Sequence, residues 1–348
     1  MFGTFFAPGP VEVHPDILSA MTRPMIHHRG AEAKDLYRRI APVLQTVFGT
    51  TRPVRFLASS GTGAVEAGIR SLPPGKVLAL VHGAFGERMA RMAETCHHDV
   101  DRLEAPLGRV VDPEAVAARV RATRYAGVTA VHNETSTGAL QPLPALARAV
   151  GDVPLVVDSI SGAAGAPIGL DATGIAYACT GSQKALALPP GLGFAAASEK
   201  FLALARQSTE RGFYLDLLSY ERDTPPFTPA LPLLYALDAQ AERIAREGIE
   251  GRWARHRAMA ELVWDWARRR GLGVVAAEGF RSPTITCIEL PPALTGPEFV
   301  ERVRKSGFVV GGGYGPLKGN CFRIGHMGDQ TVETVAALLE ACDAALAG

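Results

Sequence analysis

The sequence predicts an α/β protein whose large domain has a mostly parallel sheet covered by helices on both faces, followed by a smaller α+β domain. Three observations predict it. Short apolar runs alternate with helical stretches through the first two thirds of the chain. These runs are too apolar to leave one face to water, as in a buried parallel sheet. After the proline-rich stretch 224–232 the texture changes to one long helical segment, then strand-like runs and a last helix. At 348 residues the chain has room for two domains.

The expected strands are 54–58, 77–81, 128–132, 155–157, 177–180 and 193–197, each a short run of apolar or β-branched residues. Helices are expected at 114–122, which Asp112 and Pro113 open as cap and first-turn residue, and at 143–150. Beyond the prolines, helical periodicity covers 233–246 and 249–270, strand-like runs lie at 284–289 and 308–310, and a helix spans 331–346. This divides the chain into an N-terminal segment 1–14 packing near the site, a large domain 15–232 and a small domain 233–348.

Composition excludes several classes. With 47% hydrophobic and 20% charged residues, and 36 basic against 35 acidic side chains, the chain is neither disordered nor supercharged. A net charge of +1 gives nucleic acid no electrostatic handle. The five cysteines are scattered and never form a C-x-x-C pair, which argues for reduced thiols rather than a disulfide framework or zinc site. The start, MFGTFFAPGP, lacks the basic and long apolar regions of a signal peptide, and no run approaches ~20 apolar residues, so the expected location is cytoplasmic, with no membrane partner. The adjacent pairs His27-His28 and His97-His98 lack metal-ligand spacing, and no metal is expected.

Only six of the 36 basic residues are lysines, and one stands in an unusual setting. Lys184 follows the apolar run 177–180 in a small-residue turn, Gly181-Ser182-Gln183-Lys184, and another apolar run comes after it. Desolvation there disfavours the ammonium and lowers its pKa, as a Schiff-base lysine requires. The ordinary alternative is a solvated turn lysine. Two further segments weigh against it. In Ser60-Gly61-Thr62-Gly63 an apolar strand breaks into a helix, and backbone amides and hydroxyls at a helix start make an anion site that glycines let a phosphate approach. Asp158 ends the apolar run 155–157, where open α/β sheets place their ligands, and a buried carboxylate needs a cationic or hydrogen-bonding partner. A phosphate cradle, an aspartate at a strand end and a lysine after the next strand together describe pyridoxal 5'-phosphate: phosphate anchored, ring nitrogen paired with Asp158, aldehyde condensed with Lys184.

With these residues the chain resembles the class V (small) aminotransferases, alanine/serine–glyoxylate and phosphoserine aminotransferase-like, of the PLP-dependent transferase fold type I. The resemblance runs from Ala7-Pro8-Gly9-Pro10 to Phe322-Arg323-Ile324-Gly325. It implies that Ser60, Gly61 and Thr62 hold the cofactor phosphate and that Phe85 stacks on the ring, where many relatives have Trp. It further implies that Thr135 bonds near the ring hydroxyl, that Ser182 and Gln183 bind phosphate or ring, and that Arg323 grips the substrate carboxylate, with Gly9 beside it. Thr228 matches a residue that reaches the phosphate of a neighbouring subunit, which implies a homodimer with shared active sites. Pro225 stands where some relatives carry a phosphate-binding tyrosine. His28 and Arg29, in a His-Arg-x-x-Glu segment ending at Glu32, match a segment that helps bind a second substrate anion in phosphoserine aminotransferases.

The implied activity is ping-pong transfer of an amino group from alanine or serine to an oxo acid such as glyoxylate or pyruvate. Phosphoserine and aspartate are the alternatives. Cysteine desulfurase-like lyases carry His before the lysine, where this chain has Gln183. They also need a cysteine on a mobile loop, whereas Cys321 reads as the approach to a strand. A nicotinamide enzyme is set aside because Gly191-Leu192-Gly193-Phe194-Ala195-Ala196 continues as a strand instead of opening a helix.

Overall fold

In the computed structural model, which describes residues 2–222 and 224–347, the strands in chain order are β1 (Phe5–Phe6), β2 (Arg55–Leu57), β3 (Lys76–Val81), β4 (Asp99–Glu104), β5 (Gly127–Val131), β6 (Asn133–Glu134), β7 (Ala139–Leu140), β8 (Leu155–Asp158), β9 (Tyr177–Gly181), β10 (Gly193–Ala197), β11 (Thr286–Glu289), β12 (Val309–Gly312) and β13 (Cys321–Ile324). Seven form the main sheet in the order β2-β10-β9-β8-β5-β3-β4. The pairs from β9 to β4 are all parallel, and β10 alone runs against its neighbours.

Period-two alternation explains why these strands are apolar throughout. Leu78, Leu80, Val128, Ala130, Leu155 and Val157 point into one core, under helices Ala31–Phe48 and Leu231–Glu247. Val77, Val131, Val156, Tyr177 and Cys179 point into the other, under helices Gly61–Arg70 and Glu199–Ala205. Asp112 caps helix Pro113–Ala122 by accepting the Glu114 N–H, with Pro113 in its first turn. β4 was not among the expected strands because it is an exposed edge reading Asp-Val-Asp-Arg-Leu-Glu, with no apolar run to announce it. Charge on an edge strand also discourages pairing with other chains.

The second sheet has the order β1-β12-β13-β11. Its core gathers Phe6, Met259, Val263, Trp266, Phe299, Phe322 and Leu338. The long helical segment is two helices, Leu231–Glu247 and Ile249–Arg269, meeting at Gly248 with φ +74°. The change of core falls there: Leu234 and Leu237 pack under the main sheet, whereas Met259 and Val263 pack under the second. The first residues of the chain complete this second sheet, because β1 pairs in parallel with β12 through Phe5 opposite Val309. Among the described residues no helix is long and apolar enough to cross a membrane.

Candidate active site

The parallel strands deliver their C-terminal ends to one edge of the sheet, the usual position of ligand sites in this architecture. There a cavity of about 420 Å³ is lined by Gly9, Thr62, Phe85, Thr135, Asp158, Gln183 and Lys184, together with Arg88 and Ser161.

Lys184 lies just past β9 and is only 8% exposed. Its Nζ donates to the Pro8 carbonyl. Burial, and next the charge of Arg323, lower its pKa from 10.5 to about 8 against the opposing pull of Asp158. A large fraction is therefore neutral amine at mildly alkaline pH, the form that condenses with an aldehyde. Gly9, at φ +120°, crosses the lysine so closely that an added Cβ would stand 2.3 Å from Nζ.

Asp158 ends β8, and its Oδ1 accepts the Ile160 N–H at 2.8 Å. Burial raises its pKa to about 6, helped by the Glu134 carboxylate and resisted by the Ile160 N–H, Lys184 and Arg88. It is thus ionised at neutral pH and gains from a cationic partner in the cavity. Thr135 shares a 2.6 Å hydrogen bond with Ser161 between their hydroxyls.

Helix Gly61–Arg70 points its N-terminus at the cavity. Its N-cap, Ser60, makes no side-chain capping bond, so the first N–H groups receive none from it. A Cβ on Gly61 would meet Ile160 Cδ1 at 2.7 Å and Gly181 Cα at 3.3 Å, so a larger residue at the helix start would have to displace the Ile160 side chain. Thr62 Oγ1 accepts a 2.9 Å bond from Arg88. The buried Gln183 Oε1 has no partner among the described residues, while the Gln183 backbone carbonyl accepts the Val11 N–H at 3.0 Å.

Arg323 projects from β13 and is aimed by two backbone carbonyls, Gly312 O at 2.8 Å and Thr135 O at 3.1 Å. Its guanidinium carbon lies 5.5 Å from the centre of the Tyr314 ring, which is stacked at 5.7 Å on Phe85. The aromatic and the guanidinium expected to handle ring and carboxylate are therefore linked through Tyr314.

Other expected residues lie elsewhere. Ser182 is fully buried under its loop, its hydroxyl donating to Pro189 O at 2.7 Å and accepting the Leu192 N–H at 3.2 Å. Ser60 is exposed outside the cavity lining. Thr228 is exposed on the segment before helix Leu231–Glu247, and Arg29 donates to the Pro226 carbonyl of that segment at 3.0 Å. The His28 carbonyl accepts from Tyr37 Oη at 2.8 Å. These three residues share a surface apart from the chain's own cavity.

Sequence reasoning missed Arg88, Ser161, Tyr314 and Glu134. The last is fully buried and accepts the Phe85 and Gly86 N–H groups at 3.1 Å and the Ser136 N–H at 3.0 Å, capping helix Ala84–Thr95 from a distant strand. The signal was a helix start at Gly83 with no side chain of its own to cap it.

Pyridoxal phosphate fits this donor set: an uncapped helix start backed by Gly61, the unpartnered Gln183 Oε1, a carboxylate seeking a cation and a desolvated amine, all facing one volume. Fold and site define an α/β enzyme organised around a buried lysine. The model of the aminotransferase class-V family matches residues 12–278. The chain is 36% identical to an uncharacterized aminotransferase of Methanocaldococcus jannaschii over 97% of this chain and 91% of that protein. Its structure is similar to the aspartate aminotransferase of subgroup IV from Thermus thermophilus, with TM-score 0.91, 34% identity and 99% of both chains covered. It is also similar to the alanine–glyoxylate aminotransferase of Nostoc sp., with TM-score 0.93, 32% identity and 99% and 95% of the chains covered. The chain belongs to the class V aminotransferases and is a transaminase dependent on pyridoxal phosphate.

Proposed function

We propose that the enzyme moves an amino group from a small donor, alanine or serine, to glyoxylate or pyruvate. The observation that carries the reading is Lys184, desolvated at the floor of a cavity that also holds Asp158. Pyridoxal phosphate, when bound, supplies the electron sink that makes the donor's Cα–H acidic. Gly61, Thr62 and Gln183 would hold its phosphate, Phe85 its ring face, Thr135 its ring hydroxyl and Asp158 its ring nitrogen.

Lys184 Nζ would hold the aldehyde of the bound cofactor and is placed to take the donor's α-proton as base and return it as acid. Its lowered pKa suits both, since the amine is basic enough to accept the proton and weak enough to give it back. Asp158 stays ionised near neutral pH and keeps a proton on the ring nitrogen through charge pairing. Arg323, already oriented by two carbonyls, offers its remaining donors to the substrate carboxylate. Donor and acceptor use this cavity in turn, so ping-pong kinetics follow.

Similarity to the Nostoc alanine–glyoxylate enzyme supports the small donor. Similarity to the Thermus aspartate aminotransferase favours aspartate as the second reading. We further read the enzyme as a cytoplasmic homodimer. Free, buried cysteines support a reducing compartment, and the position of Thr228, His28 and Arg29 outside the lining of the chain's own cavity supports a role for them in a second subunit's site. The test is direct. The purified protein is expected to be yellow and to be bleached by alanine or serine with glyoxylate or pyruvate as acceptor; preference for aspartate or phosphoserine would overturn the substrate reading. Lys184→Ala should abolish both turnover and the yellow absorbance, and retention of either removes Lys184 from its role.

A further inference from the structure

We propose that Arg88 is the cation of the phosphate site within this chain, setting the Thr62 hydroxyl as a donor and keeping the cofactor phosphate a dianion. The inference rests on the reading that Gly61 and Thr62 cradle that phosphate. Helix Ala84–Thr95 carries Arg88 one turn past Phe85 to the wall of the cavity. There its guanidinium donates to Thr62 Oγ1 at 2.9 Å. A hydroxyl has one proton to give, and Thr62, having accepted from Arg88, is free to direct that proton to an anion.

The charge of Arg88 is also available. Its neighbour Glu87 turns to Arg102, at 3.1 Å, and among the described residues Arg88 pairs with no carboxylate. The other wall of the same corner is the Gln183 amide. A Cβ added to Gly181 would meet Gln183 Oε1 at 2.6 Å and the Gly61 nitrogen at 3.3 Å, so this amide sits against the helix start. Oε1 has no partner among the described residues, and turning the amide over presents its NH₂ at that place instead. A guanidinium, a hydroxyl whose acceptor side is taken, an unpartnered amide and a helix N-terminus thus lie along one side of the cavity. A phosphate monoester loses its second proton near pH 6, and a fixed cation beside it lowers that value. Arg88 therefore offers from within the chain a phosphate contact that Pro225, with no side-chain donor, cannot make.

The experiment compares apoprotein of the wild type with Arg88→Gln and Arg88→Lys, titrated with pyridoxal phosphate and with pyridoxal, which lacks the phosphate. Arg88→Gln should weaken pyridoxal phosphate by about tenfold or more, the usual cost of a lost charged hydrogen bond, and leave pyridoxal unchanged. Arg88→Lys should recover part of the loss. In ³¹P NMR the bound phosphate should keep one chemical shift from about pH 6 to about pH 8 in wild type and Arg88→Lys and should titrate in Arg88→Gln. Arg88→Met, which keeps the stem without the charge, replaces Arg88→Gln if that variant does not fold. Equal losses for the two ligands would make Arg88 a mere bridge between helices, and unchanged affinity with a flat ³¹P shift would remove it from the site; either result overturns the proposal. If the wild type itself shows no preference for pyridoxal phosphate over pyridoxal, it is the cradle reading that fails.

Discussion

Lys184→Met, compared with the wild type as apoproteins, isolates what the protein loses by keeping an amine where water is excluded. The folded pKa of about 8 lies about 2.5 units below the ordinary 10.5. At about 1.4 kcal/mol per unit this amounts to roughly 3 kcal/mol of instability. The unfolded chain binds the proton more tightly, so the full penalty applies below about pH 8. It shrinks as pH rises from about 8 towards 10.5 and is gone once the amine is neutral in both states. Methionine conserves most of the buried stem but loses the bond to the Pro8 carbonyl, worth about 1 kcal/mol. The variant should therefore be about 2 kcal/mol more stable near pH 7, an increase of roughly 3 °C in Tm for a chain of this size. At about pH 11.5, where the amine is neutral in both states, the order should reverse by about 1 kcal/mol. Scanning calorimetry of both apoproteins at the two pH values measures this. Equal Tm values near neutrality, or a difference that ignores pH, would refute the claim that desolvation dominates this lysine.

Arg323→Gln removes the second-largest influence holding the Lys184 pKa down, so the pH midpoint for pyridoxal phosphate uptake, followed by absorbance, should rise. Uptake near pH 7.5 should slow several-fold, as the neutral amine becomes scarcer. Gly9→Ala forces a Cβ to 2.3 Å from Nζ at φ +120°. It should lower stability by about 1–3 kcal/mol and reduce cofactor loading by at least tenfold, read by calorimetry and absorbance; normal loading would show that the segment or the lysine side chain can move aside.

What could be read in the sequence was whatever depends on neighbours along the chain. Asp158 and Lys184 stood out because a charged residue directly after an apolar strand has few environments open to it, and Ser60-Gly61-Thr62 because the break from strand to helix is local. β4 escaped because an edge strand needs no apolar pattern. Arg88 and Glu134 escaped for another reason: each acts on groups 26 and 48 residues away in sequence, Thr62 and Gly86. Tyr314 lies among the glycines of 311–315, and its place between Phe85 and Arg323 depends on residues far from it in sequence. Ser182 shows the converse limit, since proximity to Lys184 in sequence does not determine which way a hydroxyl turns in a tight loop.

The pairing of β1 with β12 has a consequence for how the enzyme is made. Phe5 and Phe6 leave the ribosome about 300 residues ahead of their partners Val309 and Val310. The main sheet can assemble during synthesis, but the segment that carries Pro8 and Gly9 to Lys184 has no strand to join until β12 has been made. A chain cut before β12 would present its lysine without the segment that closes over it.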